Sequence, residues 1–267
     1  MNASTDYPVR FFLGWLGLFL VGLIGLSTPL QAQRRYFEQQ ILNEADMFLL
    51  TGTYSLVNPI GDYADRFGSG YQFGIQTEYM FWPGNWILGG DFQLGFGGDV
   101  KENVLEFLQD KNGDIVGRDL ALSQAFLQQR MLSGGVYVGK LIPVIKSNKR
   151  SGIRITGGIG WMRHRIRVND EQGALPQIED GYGKGYDRLT SGIYFSEFIG
   201  YQHISLNRRI LLYGGFDFVQ GMLRGRRDYD FQTMAPANTS RFDGTIGLRI
   251  GWSFALYAGT TERDIYY

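Results

Sequence analysis

The strongest candidate for chemistry in this 267-residue sequence is His203-Ile204-Ser205, followed by Asp217. On an extended strand, positions i and i+2 share a face. An imidazole and a hydroxyl would then stand side by side, and an acid from a paired strand could orient the ring. That set suits hydrolysis, with histidine as base and serine as nucleophile. The chain has 2 His and no Cys. The missing thiols exclude disulfide scaffolds, thiolate metal sites, thiol catalysis and cysteine-linked lipid anchors. Two His without matching carboxylate spacing do not make a metal site. Asp110-Lys111-Asn112-Gly113-Asp114 opens like a calcium loop, but Ile115 and Ala121 stand where that loop needs Gly and Glu. Asn112-Gly113 reads better as a hairpin turn between VLEFLQ and DIVGRD.

Arginines supply the second kind of chemistry. In WMRHRIRV (161–168), Arg163, Arg165 and Arg167 continue the face of Trp161, while Arg224 and Arg226 share the parity of Met222, with Arg227 beside them. A guanidinium fork pairs well with phosphate. Asp228 and Asp230 would partly neutralise the second cluster. The chain as a whole carries 26 basic and 26 acidic residues. That balance excludes general nucleic-acid binding, which needs a basic excess to displace counterions.

The elements that position these groups repeat with a period of 2. In residues 241–257, Phe242, Ile246, Leu248, Ile250, Trp252, Phe254 and Leu256 alternate with small or polar residues. Residues 71–81, 86–98 and 210–224 alternate in the same way, and weaker versions lie at 47–56, 130–142, 153–168 and 192–206. Eight strands of this length can each cross a bilayer, which takes about 9–11 tilted residues. Long connections (57–70, 99–129, 169–191, 225–240) alternate with short ones (82–85, 143–152, 207–209). The polar face holds Gly, Ser, Thr and Ala with almost no Lys, which suits a cramped interior, and the large apolar residues suit lipid contact. The spacing predicts an all-β, eight-stranded antiparallel up-and-down transmembrane β-barrel, with strands three and four continuing past the membrane through the Asn112-Gly113 hairpin. Segments 101–109 or 119–129 are the alternative places for helix.

The remaining segments flank that barrel. Residues 1–32 have Arg10, an apolar run from Phe11 to Leu26, and Ala32 at a cleavage position, the layout of a signal peptide. Residues 33–46 form an N-terminal segment with Phe37, Ile41 and Ala45 on one helical face, the barrel spans 47–257, and 258–267 is a tail.

On these strands and loops the chain resembles the eight-stranded outer-membrane barrels of the OmpA/OmpX type. The resemblance implies a bacterial outer-membrane location, long loops extracellular and both termini periplasmic. Here AGTTERDIYY follows the last strand, so the aromatic assembly signal is Tyr267, Phe254 or Tyr257. The His203/Ser205/Asp217 set is similar to that of the lipid A 3-O-deacylase family, also eight-stranded barrels. That likeness implies His203 as base, Ser205 as nucleophile and Asp217 as orienting acid, although Leu206 replaces the family's Asn and its acid is usually Glu.

The strand register assigns Glu78, Asp91, Arg154, Glu197, Asp217 and Arg249 to a charge network in the lumen, with His203 near the turn end. Eight strands leave an interior filled by side chains, so a structural plug is expected rather than a pore. The leading expectation is a non-catalytic barrel without metal or cofactor. It would act as an envelope scaffold, surface-binding protein or accessory subunit through its loops, with outer-membrane lipid including lipopolysaccharide, and an envelope protein, as partners. Arg163, Arg165, Arg167, Arg224 and Arg226 are the candidate lipid-phosphate site. A lipid A hydrolase is the alternative.

Overall fold

The computed structural model describes residues 46–118, 121–170, 175–178, 181–205 and 210–257. The expected signal peptide, nearly all of the N-terminal segment and the tail lie outside these residues. Eight strands close into one antiparallel barrel in chain order: β1 (Met47–Gly61), β2 (Gly70–Met80), β3 (Trp86–Gly97), β6 (Phe126–Ile145), β7 (Asn148–Asn169), β8 (Thr190–Ile204), β9 (Leu211–Gly225) and β12 (Ser240–Tyr257). Closure is made by β1 and β12, paired from Met47↔Tyr257 to Gly61↔Asp243. Two small ribbons lie in the loops, β4 (Ile115–Val116) with β5 (Leu122–Ser123) and β10 (Arg227–Asp230) with β11 (Ala235–Ala237). One short helix, α1 (Asp62–Arg66), follows β1.

The period-2 pattern decides which face is which. Leu56, Phe73, Ile75, Val136, Ile193, Phe216, Leu248, Ile250 and Phe254 are all exposed on the outside. Thr51, Ser55, Gln72, Gln76, Gln93, Ser133 and Ser253 are buried inside. An apolar exterior around a polar interior is stable only in hydrocarbon, so the barrel spans a membrane. On β8, twelve residue steps from Ser191 to His203 cover about 40 Å of strand. At a tilt of about 40° that is about 30 Å along the membrane normal, the thickness of a bilayer core.

The lumen is stacked in layers. At the short-turn end Met47, Leu49, Met80, Ile87, Leu141, Ile204 and Leu211 form an apolar plug. Above it sits a polar layer. The Arg154 guanidinium donates to both Glu78 oxygens at 2.9 and 2.5 Å and to Gln202 at 3.1 Å, and its charge lies 4.5 Å from the centre of the Tyr213 ring. Tyr137 donates to Glu78 at 2.8 Å, and Arg249 donates to Asp217 at 2.7 Å. A glycine makes the first contact possible. Glu78, Gly89 and Tyr137 stand in one cross-strand row, and a Cβ on Gly89 would come within 2.6 Å of the tyrosine ring and hydroxyl. Met131, Met162, Tyr194 and Leu223 form the next layer. A void of about 30 Å³, lined by Gln76, Gln93, Arg154 and Asp217 among others, lies in the lumen, large enough to hold water.

The connections match the expected alternation, with some differences. The turn between β6 and β7 is two residues, 146–147, so both strands run beyond 130–142 and 153–168. The Asn112-Gly113 turn forms, with Asp110 and Asp114 bonded across it and Gly113 at φ +87. It does not extend strands three and four. β3 stops at Gly97, a 3-10 turn occupies Glu106–Leu108, and β4 pairs with β5. No described helix is long and apolar enough to cross a membrane; the crossing is made by strands.

Candidate functional site

Two charged assemblies crown the long-loop end, one turned inward and one outward. The inward one ties the four long loops together. Tyr63 and Phe67, at α1, pack over the barrel mouth with Val104, Leu105, Ile115, Ile166 and Leu175. Arg66 bonds Glu102 at 2.7 Å, the Arg188 carbonyl at 3.2 Å and Thr190 at 3.0 Å. Arg188 bonds the other Glu102 oxygen at 2.6 Å and also pairs with Asp230, while Arg227 pairs with Asp187. Burial pushes the Glu102 carboxyl up, but the Arg66 and Arg188 charges outweigh it and hold the group below the usual carboxylate range. Beneath this cap His164 bonds Asp243 at 2.8 Å, and the Tyr63 ring lies 4.7 Å from the imidazole.

The outward assembly is a belt of arginines at the rim of the apolar zone. Arg163, Arg165 and Arg167 are exposed on the outer face of β7 beside Trp161. Arg165 lies directly opposite Arg130 of β6. Arg130 is held at 5.0 Å over the Phe96 ring and bonds the Gln129 carbonyl at 3.0 Å. Arg163 pairs in register with Ser191 of β8, which pairs with Arg224 of β9. Arg226 donates to the Ser191 hydroxyl at 2.9 Å, and Arg224 to the Asn238 carbonyl at 2.9 Å.

These six cations share one property. None has a carboxylate partner among the described residues, whereas Arg66, Arg154, Arg188, Arg227, Arg241 and Arg249 are all ion-paired. Like charges directly opposite each other on paired strands are destabilising, so Arg130 and Arg165 leave a position fit for an anion. Two outer-face hollows lie beneath the belt. One, about 260 Å³, runs between Leu94, Phe96, Leu132 and the β6–β7 arginines. The other, about 770 Å³, runs along Ile159, Ile193, Phe195, Met222 and Phe242 below Arg224 and Arg226.

The hydrolytic set does not assemble. His203 is exposed on the outer face and lies opposite Leu212, whereas Asp217 is buried in the lumen opposite Phe198. Five residue steps along the strand, about 17 Å, and the thickness of the wall separate them. His203 approaches Ser151 at 3.4 Å, and the Ser205 hydroxyl accepts the Ile210 amide at 3.0 Å.

Five of the six expected lumen charges stand inside the barrel: Glu78, Arg154, Asp217 and Arg249 are buried and Asp91 is half-buried. Glu197 is a correction, as is the inward placing of His203. Both share the exposed row of Ile193, Phe195, Ile199 and Tyr201, while Tyr194, Phe198 and Gln202 are buried. That row alternates with Gly192, Ser196, Gly200 and Gln202, so the period marks it as the lipid face; the inward placing follows the charge of Glu197 instead. Arg130 and the His164–Asp243 pair were not anticipated. Parity would have found His164, which falls between the outward arginines. Among the described residues no group of His and acids is spaced to hold a metal.

No protein-family model matches the sequence, and no curated protein matches it. Among the solved structures that the chain matches are bacterial surface and outer-membrane proteins. Ail of Yersinia pestis, in complex with the heparin analogue sucrose octasulfate, is 11% identical over 79% of this chain and 99% of its own, with a TM-score of 0.38. Neisserial surface protein A is 9% identical over 78% of this chain and 97% of its own, with a TM-score of 0.38. A major outer membrane protein from Thermus thermophilus is 13% identical over 79% of this chain and 100% of its own, with a TM-score of 0.37.

Proposed function

We propose that this chain is a non-catalytic bacterial outer-membrane barrel that grips the phosphates of lipopolysaccharide with its arginine belt and displays a tied loop cap at the cell surface. In this reading the long loops are extracellular and the termini periplasmic, which puts the belt at the outer headgroup level. The observation that carries it is that Arg130, Arg163, Arg165, Arg167, Arg224 and Arg226 on the outer wall have no carboxylate partner among the described residues, while Arg154 and Arg249 in the lumen are both ion-paired. Unpaired guanidinium groups at a headgroup boundary suit phosphate oxygens, which they bind through parallel hydrogen bonds. The apolar hollows beneath would take acyl chains. The cap, as a scaffold or as a docking surface for an envelope partner, is the second working part.

The test replaces Arg163, Arg165 and Arg167 with Gln in the full chain and measures lipopolysaccharide co-purifying with the folded barrel. The belt reading expects a clear fall, smaller in high salt, where the guanidinium–phosphate attraction is already screened, with folding unchanged by gel mobility before and after heating. Lipopolysaccharide content equal to that of the unaltered protein would remove the reading.

A further inference from the structure

The outer wall carries one acid where hydrocarbon should lie. On β8 the exposed row runs Ile193, Phe195, Glu197, Ile199, Tyr201. Glu197 is six residues from Ser191 at the arginine belt and six from His203 at the opposite rim, about 15 Å in depth from each. It therefore sits at mid-membrane, where a lipid-facing charge is most costly. One other long polar side chain lies close by. Gln220 of β9 is exposed on the same wall, opposite Phe195, while Glu197 lies opposite Phe218. Glu197 and Gln220 are thus diagonal neighbours, about 7–8 Å apart. Neither has a hydrogen bond to another described residue. The wall around them is low: Gly157 lies opposite Glu197 on β7, with open space where a Cβ would stand, and Gly214 is outward on β9.

We propose that this patch is the contact between two copies of the chain lying side by side in the membrane. The Glu197 carboxyl of each accepts a hydrogen bond from the partner's Gln220 amide. A two-fold axis along the membrane normal makes each contact twice, and glycines let the walls approach as small residues do between membrane segments. A second copy fits better than a foreign segment because the donor that Glu197 needs is already on the same face. The outward basic side chains lie at the rims: the arginines at one, and Lys140, over the Trp86 ring, near the other. None of them meets the acid at its depth.

Because the chain has no Cys, single cysteines report cleanly. Phe218→Cys, beside Glu197, and Ile75→Cys, on the opposite wall at β2, would be oxidised in native membranes and run without reductant. The dimer predicts a band of two barrels from Phe218→Cys and little from Ile75→Cys. Adding Glu197→Leu should weaken that band about tenfold, the loss of two membrane hydrogen bonds of ordinary strength. Leu matches its neighbours, and heat-shifted gel mobility verifies the fold. Equal bands from both walls, a cross-link to a protein of another mass, no cross-link at all, or a band that survives Glu197→Leu would each overturn the proposal.

Discussion

Replacing Glu78 with Leu removes the carboxylate bonded to Arg154, a guanidinium that is itself almost wholly buried; Arg154 and Glu78 are 2% and 0% exposed. Breaking a buried pair from one side costs about 3–5 kcal/mol, because the remaining charge is left uncompensated. Arg154 keeps Gln202 at 3.1 Å and the Tyr213 ring at 4.5 Å, and a desolvated cation–π contact offsets up to about 2 kcal/mol. Tyr137, however, loses the acceptor it holds at 2.8 Å. The balance points to the lower end, about 3 kcal/mol. With a urea slope of about 2 kcal/mol/M, the unfolding midpoint should fall by about 1.5 M. The assay is reversible urea unfolding in bilayers or detergent, followed by tryptophan fluorescence. A double variant, Glu78→Leu with Arg154→Leu, should recover most of the loss, since an apolar pair of similar volume is often neutral. A single-variant cost below about 1 kcal/mol, or a double variant as costly as the two singles together, would refute the claim that this pair organises the lumen.

Two further outcomes follow from the loops and the wall. Glu102 is held below the usual carboxylate range, so its contribution is complete above its unfolded value of about 4.3 and is lost as pH falls through the depressed one. Thermal melting from pH 6 to pH 3 should show that loss, and Glu102→Gln should flatten this part of the profile; an unchanged profile would remove Glu102 from the cap. Gly89→Val should cost about 1–3 kcal/mol by overpacking, since its Cβ would meet Tyr137 at 2.6 Å and the Thr77 carbonyl at 2.8 Å. Urea midpoints would measure it, and an unshifted midpoint would show that Tyr137 does not need the gap.

The strands were legible because lipid demands an unbroken apolar row on one face, as in Phe242 through Leu256, and that row survives without knowledge of any partner. Where the row is broken, the reading failed. Glu197 interrupts the outward face of β8, and its charge outweighed the period of Ile193, Phe195, Ile199 and Tyr201 around it. The arginines of 161–168 were legible by parity, but Arg130 sits in FLQQRMLS, where alternation is weak. The cap was not legible at all. Its bonds join residues far apart in sequence, such as Arg66 to Glu102 and to Thr190, 124 positions away, and no local period encodes such pairings. The Asn112-Gly113 turn was read correctly as chemistry and wrongly as an extension, because the turn fixes only its own four residues and not what their flanks pair with.

The seam between β1 and β12 has a consequence for how the chain reaches its membrane. Every other strand pair in the barrel joins neighbours in the order of synthesis, but Met47 must find Tyr257, across nearly the whole described sequence. Until that seam zips, the curved sheet has two open edges of unpaired amides and an oily outer surface, the combination that drives strands of separate molecules together. Contacts this distant in sequence form late and slowly. The chain must therefore be kept apart from its own kind in transit, with both edges of the seam shielded until β1 and β12 pair.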